Sequence, residues 1–112
     1  MDFIERPWGG YVIHAQGPGW ALKTLHIKAG EATSLQLHRE RSESWYLMDG
    51  DASIEGKDGT LRKLEQGKEV NIAQGEVHRL VGGPTDAVLV EIIRGNYRED
   101  DIERIEDRYG RS

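Results

Sequence analysis

Residues 34–50 read SLQLHRERSESWYLMDG. Gln36 and His38 stand two apart, so on a strand both side chains leave the same face. After four intervening residues, Glu43 shares parity with Trp45 and Leu47 on the strand that follows, and it faces inward if that strand lines a barrel. Further along, GKEVNIAQGEVHRLVGG (67–83) sets His78 behind a glycine turn at Gly75. Two imidazoles, one carboxylate and one amide oxygen from Gln36, His38, Glu43 and His78 make a four-point site of borderline to hard character. Such a set suits zinc, manganese, iron, cobalt or nickel.

Outward from this stretch the chain is a run of short apolar segments. Its 14 glycines fall between those segments rather than inside them, with Asp49-Gly50, Asp58-Gly59 and Gly82-Gly83-Pro84 as typical breaks. ALKTLHIK places Lys23, Leu25 and Ile27 on one face, ASIEG pairs Ala52 with Ile54, and KEVNIA pairs Val70 with Ile72. HRLV is a further strand, and AVLVEIIRG is apolar on both faces, as a covered strand is. The spacing predicts an all-β sandwich or barrel. The tail reads differently: Asp100 with Glu103 resembles a capping box, Ile102 and Ile105 lie three apart, and Gly110 can end the segment. A short C-terminal helix is expected there.

The bulk properties bound the function. A chain of 112 residues fits one domain, 1–112, with a single core. No cysteine is present, so a metal must be held by nitrogen and oxygen, and no disulfide framework exists. A net charge of -5 leaves no basic field for nucleic acid, and no apolar run approaches the length of a membrane span. With no leader pattern at MDFIERPWGG, a cytoplasmic protein is expected.

The motif spacings then carry a resemblance. Gly30, five residues, Gln36-x-His38, four residues, Glu43, six residues and Gly50 form the first motif (30–50). Gly67, five residues, Ala73-x-Gly75, two residues and His78 form the second (67–82). Both are similar to the two motifs of the cupin superfamily, which implies a small antiparallel barrel, or double-stranded β-helix, around a divalent metal. Gln36 stands where the first histidine is usual, Ala73 where proline is, and Gly82 where asparagine is. That glutamine, with RPWGGY near the start and GNYREDDIERIEDRYGR at the end (tail 96–112), narrows the resemblance. The chain is similar to the C-terminal isomerase domain of type II bifunctional mannose-6-phosphate isomerase/mannose-1-phosphate guanylyltransferases. No glycine-rich nucleotide loop precedes Arg6, so guanylyltransferase activity is not expected here. Ser44 stands where that family has a histidine between the glutamate and the tryptophan.

The resemblance implies Gln36, His38, Glu43 and His78 as metal ligands, a sugar phosphate as substrate, and proton transfer through a cis-enediolate. Arg104, Asp107 and Arg111 match the family's terminal motif. From the residues themselves, Glu91 interrupts an apolar strand and is the best acid/base candidate, and Lys23 shares a face with Leu25 and Ile27 where a charge is costly unless used. Arg41, two before Glu43, and Arg79, directly after His78, are candidates to rim the site and grip a phosphate, with Arg104 and Arg111. Trp45 can stack on a sugar face or belong to the core. His14 and His26 lie outside both motifs. An uncovered apolar sheet face makes a homodimer the expected assembly. Two rivals stand beside the isomerase: a non-haem iron(II) oxygenase using His38, Glu43 and His78 as a facial triad, and a non-catalytic metal-dependent sugar-binding cupin.

Overall fold

The computed structural model describes residues 2–98 and 100–111. Eleven strands follow one another: β1 (Phe3–Arg6), β2 (Gly9–Gly17), β3 (Trp20–Ile27), β4 (Leu35–Leu37), β5 (Arg41–Asp49), β6 (Ala52–Gly56), β7 (Leu61–Lys63), β8 (Glu69–Ile72), β9 (His78–Gly82), β10 (Ala87–Gly95) and β11 (Glu103–Glu106). They form a six-stranded sheet in the order β1-β2-β3-β10-β5-β8 and a five-stranded sheet in the order β11-β4-β9-β6-β7. Pairing within both sheets is antiparallel. This is the small cupin barrel expected from the motifs, and no helix among the described residues is long and apolar enough to cross a membrane.

Side-chain alternation divides inside from outside. Along β3, Ala21, Lys23, Leu25 and Ile27 are buried, and along β10 so are Ala87, Leu89, Glu91 and Ile93. β10 lies between β3 and β5, and its other face carries the half-buried Val88, Val90 and Ile92. The register stacks interior residues in rows across three strands. Leu25, Leu89 and Leu47 form one row, and Lys23, Glu91 and Trp45 form the next. Packed against the leucine row are Ile27, Ala52, Ile54, Leu64, Ile72, Leu80 and Ala87, which close one end of the barrel as a dry core. At Gly50 the turn between β5 and β6 has φ 79°, and a Cβ would meet Asp86 O at 2.0 Å. Only glycine fits both requirements.

The C-terminal segment corrects one expectation. Residues Glu103–Glu106 are a strand, not a helix, paired with β4 so that Arg104 stands opposite Gln36. The reason is tertiary. A helix of so few residues would not repay its nucleation, whereas β4 offers an edge whose backbone groups need partners. Side chains secure the pairing: Glu103 meets Arg39, and Glu106 accepts from Arg79 Nη1 at 3.0 Å. Asp101 uses its carboxylate on the backbone N–H groups of Arg39 and Glu40 at 3.0 and 2.9 Å, fixing the tail across the end of β4.

Candidate metal centre and anion pocket

The first motif builds half of the centre and the sheet register builds the other half. On the five-stranded sheet, Gln36 pairs with His78 across β4 and β9, and Arg104 pairs with Gln36 across β11 and β4. On the facing sheet, β5 turns Glu43 inward. The N–H of Gly75, at φ 79°, donates to His38 O at 2.7 Å and ties the turn before His78 to the first motif.

His38, Glu43 and His78 are all buried, and one donor atom from each lies within 4.8 Å of the others. Nε2 of His38 is 3.3 Å from Glu43 Oε2, and Nε2 of His78 is 3.7 Å from Glu43 Oε1. Both rings have their Nδ1 beside a backbone carbonyl. His38 donates to Asp101 O at 2.5 Å and His78 to Glu76 O at 2.9 Å, which fixes the tautomer that presents an Nε2 lone pair. Burial, reinforced by the Arg41 charge, pushes His38 down to about 4, and burial lowers His78 as well. Neutral imidazoles are the form that binds a cation.

These residues fit a divalent metal on a structural ground: His78 Nε2 is buried without a hydrogen-bond partner among the described residues, and it faces Glu43 Oε1 at 3.7 Å. Buried acceptors left this way are costly unless an ion meets them. Gln36 shares the centre, its Nε2 3.2 Å from His38 Nε2 while Oε1 accepts from Ser34 Oγ at 2.5 Å. A half-turn of the amide brings its oxygen to the ligand side, and the Ser34 hydroxyl, donor and acceptor both, then accepts instead.

Gln36 and Glu43 also line a cavity of about 590 Å³, counting its open mouth. Arg6, Lys23, Arg41, Arg104 and Arg111 line it as well, five cations against the carboxylates Glu43 and Glu91. In a chain of net charge -5 this is a local inversion of sign. Glu91 accepts from the Trp45 indole at 2.9 Å through Oε2, and its Oε1 lies 4.0 Å from Lys23 Nζ. Burial first, and then the Glu43 charge beside it, raises the Glu91 carboxyl to about 7. Lys23 sits over the Tyr11 and Tyr97 rings, 4.0 and 4.9 Å from their centroids.

Of the residues expected from sequence, Gln36, Lys23, Arg41, Glu43, Trp45, Glu91, Arg104 and Arg111 therefore meet around one cavity, with His38 and His78 against it. Trp45 is an interior residue that packs edge-on against His78 and holds Glu91, so little of its face remains for a sugar. Arg79 is not brought there. Adjacent to His78, it points out of the other face, donates to Thr33 O and Glu106, and serves as an inter-strand tie. Ser44 lies on the face of β5 opposite Glu43 and is buried there, donating to Asn71 Oδ1 at 2.9 Å and accepting from Arg94, so the departure from the family's histidine does not fall in the cavity. His14 and His26 both reach Thr24 on the barrel's exterior. Sequence reasoning assigned no role to Arg6, Trp8, Tyr11, Thr33 or Tyr97. The first four line the cavity, and Tyr97 stacks on two of its cations. Only the buried parity of Tyr11 on β2 was a usable signal.

Comparison with known proteins agrees with this architecture. The family model described as "Mannose-6-phosphate isomerase C-terminal" matches residues 2–107. The alginate biosynthesis protein AlgA of Pseudomonas aeruginosa is 37% identical over 111 residues, covering 97% of this chain and 23% of that protein. A mannose-1-phosphate guanylyltransferase of Escherichia coli K12 is 36% identical over 110 residues, 96% of this chain and 23% of that protein. The chain thus spans under a quarter of the length of these relatives. Among solved structures, KdgF from a Halomonas species superposes with a TM-score of 0.76 at 19% identity, covering 89% of this chain and 92% of that one. The capsular polysaccharide assembling protein CapF of Staphylococcus aureus gives 0.79 at 16% identity, covering 93% and 32%. These two likenesses concern the fold. The chain belongs to the family of mannose-6-phosphate isomerase C-terminal domains.

Proposed function

We propose that this barrel houses a metal-dependent aldose–ketose isomerase site for a sugar phosphate of the mannose-6-phosphate/fructose-6-phosphate type. One observation carries the reading: a two-histidine, one-carboxylate group reaches, through Glu43, the cavity that also holds a buried Lys23–Glu91 pair and three further arginines, Arg6, Arg104 and Arg111. Gln36, His38, Glu43 and His78 would hold a divalent cation, which supplies polarisation of the sugar carbonyl and hydroxyls.

The chain's own groups account for the rest. Arg6, Arg104 and Arg111 supply forked donors for a phosphate dianion, and Asp107 holds Arg111 in place through two hydrogen bonds of 2.9 and 3.0 Å. Glu91 is pinned at Oε2 by Trp45, which leaves Oε1 as the atom that takes a proton from one sugar carbon and returns it to the next. Lys23 faces the same atom and offers an ammonium to the oxygen on which charge develops.

A coupled assay for fructose 6-phosphate formed from mannose 6-phosphate, run on metal-stripped protein reloaded in turn with zinc, manganese, cobalt and nickel, tests the reading. Turnover that appears with metal and disappears with chelator is expected. Absence of turnover with every metal, together with iron-dependent oxygen uptake, would sink it in favour of an oxygenase. A homodimer covering Val88, Val90, Ile92 and the exposed Met48 is part of the same proposal. Sedimentation showing only the 12.7 kDa species removes that part.

A further inference from the structure

Arg41 stands where two ligands would compete for it. It shares the inward parity of Glu43 on β5 and is 7% exposed. Its Nη2 lies 2.9 Å from Glu43 Oε2 and 3.0 Å from His38 Nε2, and Tyr97 stacks on the guanidinium at 5.4 Å. His38 has a single lone pair to offer, because Nδ1 donates to Asp101 O. That lone pair cannot accept from Arg41 and bind a cation at once. Nor is a guanidinium beside the ligand atoms electrostatically compatible with a dication between them.

The other side of the same group is unmet. Nε and Nη1 of Arg41 are buried without a hydrogen-bond partner among the described residues. Donors left this way are costly, more so when charged. They belong to a side chain that lines the cavity together with Arg6, Arg104 and Arg111, where an anion is the natural acceptor.

We propose that Arg41 couples the two ligands of the cavity: its guanidinium occupies the metal-directed atoms of His38 and Glu43 in the metal-free protein and turns to an anionic sugar phosphate when a cation binds. Each ligand then raises the affinity for the other, by the reciprocity of linked binding. This rests on the metal and sugar-phosphate reading above. It differs from simple attraction between a cation and a phosphate in requiring that Arg41 oppose the metal when no anion is present.

Cobalt(II) titration of the metal-free chain against a competing chelator, with and without saturating mannose 6-phosphate, reads this directly. In the unaltered protein the sugar phosphate should tighten cobalt by at least about fivefold, and neutral mannose should not. Arg41→Gln should bind cobalt more tightly than the parent when no sugar phosphate is present, with the coupling reduced to within about twofold of none. Arg111→Gln is the control for charge alone: it removes one cation of the same cavity, held by Asp107, and should tighten cobalt far less. A thermal melt checks that each variant is folded, and Arg41→Met replaces Arg41→Gln if the latter is not. Cobalt affinity that falls or stays level in the Arg41 variants, or that rises equally in Arg111→Gln, overturns the proposal. Tight cobalt binding by the unaltered protein with no response to mannose 6-phosphate overturns the coupling while leaving the metal centre standing, whereas no cobalt binding at all removes both.

Discussion

The two ends of the barrel interior are built by the same strands and the same alternation, yet they do opposite things. At one end Leu25, Leu89 and Leu47 lie side by side, and the space between the sheets is filled. One row along, Lys23, Glu91 and Trp45 occupy the equivalent positions, and the barrel holds a cavity instead. Backbone geometry is common to both. What separates them is that a leucine row is satisfied by contact alone, while a row of charges needs partners that come from elsewhere in the chain. The stable end lets the reactive end keep unmatched polar atoms such as His78 Nε2 and Arg41 Nη1.

That contrast can be broken from either side. The largest effect is expected from His78→Ala, which should lower cobalt or zinc affinity beyond the roughly 10–100-fold that outer partners of a metal site cost. Its urea midpoint should stay near that of the parent measured without metal. Full metal occupancy in this variant and in His38→Ala would remove the centre. Next in size, Leu89→Ala at the dry end should cost about 2–5 kcal/mol in urea denaturation. Metal affinity of the folded protein should be unchanged, and a joint loss would show that the ends are not separable.

The double variant Lys23→Met/Glu91→Leu extends the leucine row into the polar one. Buried ion pairs replaced by apolar residues of similar volume are often neutral or stabilising, but Glu91→Leu also leaves the Trp45 indole N–H without its acceptor at a cost of about 1–3 kcal/mol, so its melting temperature is expected near that of the parent while the isomerase turnover proposed above is lost. A markedly lower melting temperature would mean that the pair supports the fold rather than the chemistry. The smallest effect belongs to Ser44→His, which restores the family's residue. Because position 44 is buried against Asn71 and Arg94 on the sheet face opposite Glu43, the larger ring must displace those two side chains, while metal affinity should change by less than about twofold. A tenfold change would show that the outer face communicates with the centre.

Much of this was legible in the letters, and the exceptions have particular causes. Gln36, His38, Glu43 and His78 converge because alternation and two motif spacings act over short distances. Arg79 misled because adjacency in sequence to His78 means opposite faces on a strand, and its donors are taken by Thr33 and Glu106. The tail misled because Asp100, Glu103 and the isoleucines satisfy a local helical pattern while β4 leaves an edge to be paired. The placement of Ser44 on the opposite face of β5 follows from the same parity that turns Glu43 in.

By itself the sequence determined an all-β barrel, apart from its tail, together with the candidate ligand set and the family, since periodicity, turn residues and motif spacing are local properties. The tertiary structure decided which charges share a cavity. It brought Arg6, Arg41, Arg104 and Arg111 from three separate segments to one mouth, and it used Asp101 of the tail to aim His38. Burial and long-range pairing are what give those groups their electrostatics, and neither exists until the two sheets close on each other.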